Sequence, residues 1–317
     1  MENGSGPYGS TTLARLQEEV VGRSREAELV VASLMAGRHL LLEGPPGTGK
    51  STLLRAISSA GRQTMEFVEG NAELTPARLA GHFDPAQVME SGYTNDVWVD
   101  GPLVRAMREG RILYLEEINR VPEETLNLLV TVMSEGELTI PRLGRIIADE
   151  TFRMVAAMNP FDAVGTARIS GAIYDRVCRV AMGYQTEAEE TDIAARESDL
   201  PRAYIAKVVE VVRATRDHPE VRVGSSVRGA VDLLLLSRDL GALRNTDPTD
   251  FHVGLDCALA ALSGRIRLHD SANTEPEDVV TELWTTIMGP PDEPAGQHGD
   301  QADQSGKALS RQAAPPT

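Results

Sequence analysis

The sequence predicts an α/β core, a parallel sheet with helices on both faces, followed by a small all-α domain. Three observations carry this reading. Short apolar runs alternate with helical stretches from about residue 20 to 183. A glycine-rich turn lies directly between one such run and a helix. Beyond Tyr184 the strand-like runs stop while helical periodicity continues. Strand and helix in alternation are the pattern of a parallel sheet covered by helices.

The predicted strands are 39–43, 65–68, 112–115, 152–158 and 178–182. One connecting helix is clear: Leu126, Leu129, Val130 and Met133 share a face, Glu123 and Glu124 fill its first turn, and Gly136 follows its end. In the second domain Ile205, Val208, Val209 and Val212 form one helical face, and Val227, Val231 and Leu234 another. Asp247 and Pro248 are expected to start a helix carrying Phe251, Leu255, Leu259, Leu262 and Ile266. Thr274 with Glu277 is expected to form a capping box before Val280, Leu283, Trp284 and Ile287, with Trp284 in the core. The expected division is a disordered N-terminus (1–12), the α/β core (13–184), an α-helical lid (185–288) and a disordered Pro/Gly/Gln-rich tail (289–317).

Composition narrows the function. A chain of 317 residues that is 41% hydrophobic can bury a sizeable core. No apolar run approaches the roughly 20 residues that span a bilayer, and no charged-then-apolar leader opens the chain, so a cytoplasmic location is expected. A net charge of −16 disfavours wholesale nucleic-acid binding and favours protein partners. Cys178 and Cys257 lie far apart without metal-type spacing and are expected to be ordinary small buried residues.

The chemistry begins at Gly44, Pro45, Pro46, Gly47, Thr48, Gly49, Lys50 and Ser51, continuing through Thr52 into a helix with Leu53, Leu54 and Ile57. This strand–loop–helix is the phosphate-binding P-loop. Glycines let backbone N–H groups turn inward around phosphates, and the helix N-terminus adds a favourable dipole. Lys50 is placed to reach the β- and γ-phosphates, and the Ser51 hydroxyl to bind Mg2+. By chance that spacing arises in a chain this long with odds of roughly one in a hundred. A P-loop also needs a carboxylate near its magnesium and a base for water. The run 112–117 ends an apolar strand in two acids, Glu116 and Glu117, at the sheet edge where ligands gather. Glu116 is assigned to the metal, through water, and Glu117 to polarising the attacking water.

With these motifs the chain resembles the P-loop NTPases of AAA+ type, and among them the MoxR family, over about residues 20–287. Val21, Gly22 and Arg23 match the segment that usually contacts adenine. Glu116, Glu117, Ile118, Asn119 and Arg120 look like the MoxR version of Walker B, with glutamate where aspartate is usual. Gly101, Pro102 and Leu103 follow a likeness to the helix-2 insert at 82–99, and 139–153 is similar to the pre-sensor-1 hairpin. The resemblance implies that Asn159, followed by Pro160, orients the attacking water as sensor 1. It places Arg176, after Tyr174 and Asp175, at the arginine finger that completes a neighbour's site, with Arg179 and Arg120 as competitors. Arg228, closing the Gly224–Arg228 stretch, takes the sensor-2 place at a lid helix. The segments 81–85 and 157–162 resemble the type associated with carbon monoxide dehydrogenase maturation. What the resemblance implies is ATP hydrolysis with Mg2+, self-association into a hexameric ring, and a von Willebrand A-domain partner coupling the ring to a client as a remodelling or maturation chaperone. Alternatives are a nucleotide-gated scaffold with little hydrolysis, and a chelatase-type or DNA-acting subunit.

Overall fold

The computed structural model describes residues 8–160 and 169–289. The 1–7 part of the expected disordered start, Phe161 and Asp162 of the 157–162 segment, and 290–317 of the tail lie outside the described residues.

The chain opens on α1 (Ser10–Glu19) and α2 (Ser24–Met35). The expectation of disorder as far as residue 12 is corrected here. Tyr8 is buried, and its hydroxyl donates to Gln63 Oε1. An aromatic anchor with Leu16 behind it outweighs the Gly/Ser-rich composition around it. Then follow β1 (His39–Glu43), α3 (Lys50–Gly61) and β2 (Met65–Glu69). An insert comprises α4 (Pro76–Ala80), β3 (Gly81–Phe83), α5 (Pro85–Ser91) and β4 (Trp98–Asp100), with β3 and β4 antiparallel. Next come α6 (Pro102–Glu109), β5 (Ile112–Glu116) and α7 (Glu123–Glu135). A hairpin of β6 (Glu137–Ile140) and β7 (Gly144–Ile147) precedes β8 (Arg153–Met158), α8 (Gly171–Tyr174) and β9 (Val177–Ala181). The hairpin expected over 139–153 therefore closes at 147, and Arg153 already belongs to the next strand. Its tip residue Arg142 stacks 3.7 Å above the Tyr93 ring, tying the hairpin to the insert.

The core sheet has the order β2-β5-β8-β1-β9, and its neighbours are all parallel. Alternate side chains serve opposite faces. Leu40, Leu42, Ile112, Tyr114, Val155 and Ala157 pack on α1, α2 and α3, whereas Leu41, Leu113, Leu115, Met154 and Ala156 pack on α6 and α7. Burial on both faces explains why these strands read as continuous apolar runs. Cys178 corrects an expectation: on β9 it is exposed, whereas Cys257 is buried.

His39 opens β1, and its Nδ1 accepts from the Met154 amide at 2.9 Å. Burial, with Arg153 and Arg38 nearby, pushes its pKa down to about 4 from 6.5. The folded state therefore holds a neutral imidazole where the unfolded chain takes a proton. Stability should fall as pH drops through the window from 6.5 to about 4, by up to ~1.4 kcal/mol per pH unit. Urea midpoints measured across that window should slope less in His39→Asn, which keeps an acceptor and removes the titration.

The C-terminal region is helical: α9 (Glu187–Glu197), α10 (Arg202–Asp217), α11 (Val227–Arg244), α12 (Phe251–Leu262) and α13 (Pro276–Met288). Its own core includes Ile205, Val208, Leu233, Leu234, Cys257 and Trp284, whose indole N–H donates to the Phe251 carbonyl at 3.2 Å. Three details are corrected. The region is not purely α, because β10 (Val221–Val223) pairs antiparallel with β11 (Arg267–Leu268). Asp247 folds back on Thr249 while Asp250 accepts from the His252 and Val253 amides, so α12 starts later, and Ile266 lies beyond it. The last capping box is Glu275 with Asp278, because Pro276 takes the first helical position and fixes the N-cap one residue later.

Candidate functional site

The strand order places the C-terminal ends of β1, β8 and β5 side by side. β1 releases the loop at Gly44, β5 ends on Glu116, and β8, paired with both, ends one residue before Asn159. Three segments remote in sequence thus meet where a parallel sheet presents ligands.

The loop is closed by its own side chains. Lys50 opens α3, and its Nζ donates to the carbonyls of Gly44 at 2.8 Å and Pro45 at 2.9 Å. Thr48 Oγ1 also donates to the Pro45 carbonyl, at 2.9 Å. Gly47 has φ 74°, and a Cβ there would stand 2.1 Å from Ser226 Oγ of the helical region. Backbone and contact both require glycine at that position. The Lys50 ammonium is held below its usual pKa by burial. Glu117 and Glu116 oppose that shift, while Arg228 and Arg23 add to it. Four charged groups from three other segments therefore act on one ammonium.

The metal-side pair is equally direct. Ser51 Oγ donates to Glu116 Oε1 at 2.7 Å and lies 3.1 Å from the buried Tyr114 hydroxyl. A serine oxygen and a carboxylate oxygen converging beside a P-loop fit a small hard cation that keeps several waters. Among the described residues no cluster of three or more His, Cys, Asp or Glu could hold a metal alone. The extra methylene of Glu116 is accommodated, because its carboxylate reaches Ser51 directly. Glu117 leaves the strand in a left-handed conformation, φ 53° and ψ 45°. That backbone is costly for a non-glycine residue, by ~1–3 kcal/mol. Arg120 Nε stands 3.6 Å from Glu117 Oε2.

A cavity of about 490 Å³ opens beside the loop, and Val21, Gly49, Thr52, Gln185, Arg228 and Val231 are among the residues that line it. Gly22 instead lines an adjoining cavity of about 450 Å³ with Gln17 and Asp192. Arg176 does not join the cluster. Its Nε donates to Ser134 Oγ and an Nη to the Ala172 carbonyl at 2.7 Å, both in its own chain. Arg179 pairs with the buried carboxylate of Glu43.

Two residues take places in the site that the sequence reading did not give them. Arg23 is buried and donates to the Thr48 carbonyl at 2.8 Å, to the Gly183 carbonyl at 2.6 Å and to Glu26 at 3.0 Å. It fastens the loop at 44–51 to the junction between the sheet and the helical C-terminal region. Its position after Val21 and Gly22 was the available signal. Gln185 is buried against the cavity. It follows the last core strand, and nothing in its local pattern marks it.

Fold and loop together define a P-loop nucleotide-binding protein. Residues 39–177 match the AAA domain of the dynein-related subfamily. An uncharacterized protein of Staphylococcus haemolyticus is 32% identical over 203 residues, covering 62% of this chain and 76% of its own length. The gas vesicle ATPase GvpN of Haloferax mediterranei is 25% identical over 273 residues, covering 81% of this chain and 75% of its own. Among solved structures, a variant of RuvB from Thermotoga maritima aligns with a TM-score of 0.53 at 19% identity, covering 77% of this chain and 71% of RuvB, a likeness of fold alone. Residues 39–177 therefore form an AAA domain on a P-loop fold.

Proposed function

We propose that this chain is an ATP-hydrolysing AAA+ ring protein of MoxR type that acts as a remodelling or metalloenzyme-maturation chaperone. The observation that carries the hydrolysis reading is the convergence of Ser51 and Glu116 at 2.7 Å beside a lysine whose charge feels Glu117, Glu116 and Arg228. Backbone N–H groups of the loop and the N-terminus of α3 bind the β- and γ-phosphates, and Lys50 leaves its loop carbonyls to join them. Ser51 and Glu116 hold Mg2+, which when bound neutralises phosphate charge. Glu117 accepts a proton from the attacking water, Asn159 orients that water, and Arg228 faces the γ-phosphate from α11. The cavity bordered by Val21 and Gln185 takes the adenine.

Arg176 lies apart from the cluster of its own chain, held by Ser134 and Ala172, and by the resemblance it serves a neighbour's site, which makes a hexameric ring the working form. The partner side rests on the resemblance to MoxR proteins: a von Willebrand A-domain protein and, through it, a client. A chelatase-type subunit shares this architecture. A DNA-acting role sits poorly with a net charge of −16, and the RuvB likeness does not extend to function. No helix among the described residues is long and apolar enough to cross a membrane, and we place the protein in the cytoplasm.

A second reading has one observation behind it. Glu116 stands where aspartate is usual, and a metal held less tightly there leaves nucleotide bound while turnover is slow. Steady-state phosphate release measured against protein concentration separates the two. Turnover per subunit should rise with concentration as rings form. Background turnover at every concentration, with ATP bound, would leave the nucleotide-gated scaffold instead.

A further inference from the structure

One charge cluster lies outside the nucleotide cavity and has no part in the chemistry above. Glu190, in the first turn of α9, is 1% exposed. Its carboxylate takes Arg216 in a fork, with Nη–O distances of 2.8 and 3.2 Å, and Arg213 at 2.9 Å. Both arginines lie on α10.

What distinguishes this cluster from a stabilising ion pair is where its remaining donors go. Arg213 also donates to the Gln185 carbonyl at 3.1 Å, and the Arg216 guanidinium stacks 3.9 Å above the Tyr184 ring. Tyr184 and Gln185 form the link between the last core strand and the lid. On its other side, Arg216 Nε donates to the Ser225 carbonyl at 2.7 Å. The Ser225 amide donates to the buried Thr215 hydroxyl at 2.9 Å. Gly224 lies so close that a Cβ there would stand 2.7 Å from the Arg216 backbone. The loop held in this way ends at Ser226, the N-cap of α11, whose Oγ meets Gly47. Two residues later comes Arg228, on the cavity wall.

We propose that Arg216, held by Glu190, is a positioning residue that locks the loop at 224–226, and through it Arg228, to the link at Tyr184 and Gln185. The nucleobase side and the γ-phosphate side of the site then move as one body. Buried ion pairs as a class are weak stabilisers relative to apolar packing, so retaining this one fits a geometric role. A planar fork with a third donor and a stacking face is something only arginine supplies.

The inference rests on the assignment of Arg228 to the γ-phosphate, and the test keeps the two apart. Affinities of fluorescent ATP and ADP analogues are measured for wild type, Arg228→Ala, Arg216→Lys and the double variant, with melting temperatures alongside. Arg216→Lys keeps a cation on Glu190 and loses the Ser225 and Tyr184 contacts. It should lower the preference for ATP over ADP about tenfold, as Arg228→Ala does, with the double variant no worse than either. Thr215→Val, which removes the Ser225 amide's acceptor and with it the hydroxyl's own bond to the Val212 carbonyl, should shift the preference in the same direction and serves if Arg216→Lys does not fold. Losses that multiply in the double variant, or an unchanged preference in Arg216→Lys and Thr215→Val, would overturn the positioning role alone. An unchanged preference in Arg228→Ala would remove the γ-phosphate assignment and this inference with it.

Discussion

Glu117→Gln should lower ATP turnover by 10²–10⁴-fold while leaving ATP bound, the range expected when a positioned general base is lost. Glutamine keeps the shape of the side chain and the left-handed backbone at φ 53°, so the loop geometry survives. It removes the proton acceptor and the charge that, among the carboxylates, acts most on Lys50. Because Ser51 and Glu116 are untouched, affinity for Mg-ATP should persist. Phosphate release with a binding measurement on the same preparation decides it. Turnover within threefold of wild type would move the base elsewhere, and loss of binding would make Glu117 a structural residue.

Arg176→Ala is expected to cost more, 10³–10⁵-fold in turnover, or about 4–7 kcal/mol of barrier. The effect is large because a finger cation stabilises charge that develops only in the transition state. Within its own chain Arg176 reaches Ser134 on α7 and Ala172 on α8. Its removal should therefore spare binding at the site of the same subunit. The trans character can be read by mixing. Subunits carrying Arg176→Ala keep Glu117, and subunits carrying Glu117→Gln keep Arg176. A mixed ring then contains interfaces with both groups intact and should recover a measurable fraction of activity. No recovery would place Arg176 in its own subunit's chemistry or outside it. Arg179→Ala is the comparison, and a larger loss there would transfer the finger role to a residue now paired with Glu43.

What the sequence revealed follows from the kind of signal each feature leaves. The core strands were readable because burial on both faces turns them into unbroken apolar runs such as Leu40, Leu41 and Leu42. The phosphate loop was readable because its backbone path demands particular residue types at fixed spacing. The two acids were readable because they close an apolar strand. Arg23 was missed as an anchor because a buried arginine looks like a surface one until its carbonyl partners, 25 and 160 residues away, are known. Tyr8 was missed for a similar reason: one aromatic residue among glycines and serines docks on a surface assembled from remote segments. The Glu190, Arg213 and Arg216 cluster sits on helices whose polar faces read as solvated. Short pairings such as β10 with β11 leave almost no pattern, since three residues cannot display an alternation. Capping shifted by one residue at Glu275 because proline at the first helical turn outranked the Thr274 hydroxyl.

The placement of the two tryptophans gives the molecule a built-in optical readout. Trp284 is enclosed in the lid core, while Trp98 stands in the insert with its indole N–H on the Asp100 carboxylate at 2.7 Å. Neither belongs to the parallel sheet or to the phosphate loop. Tryptophan emission therefore comes from the two parts outside the parallel sheet, and in a Trp98→Phe protein it would come from the helical C-terminal region alone.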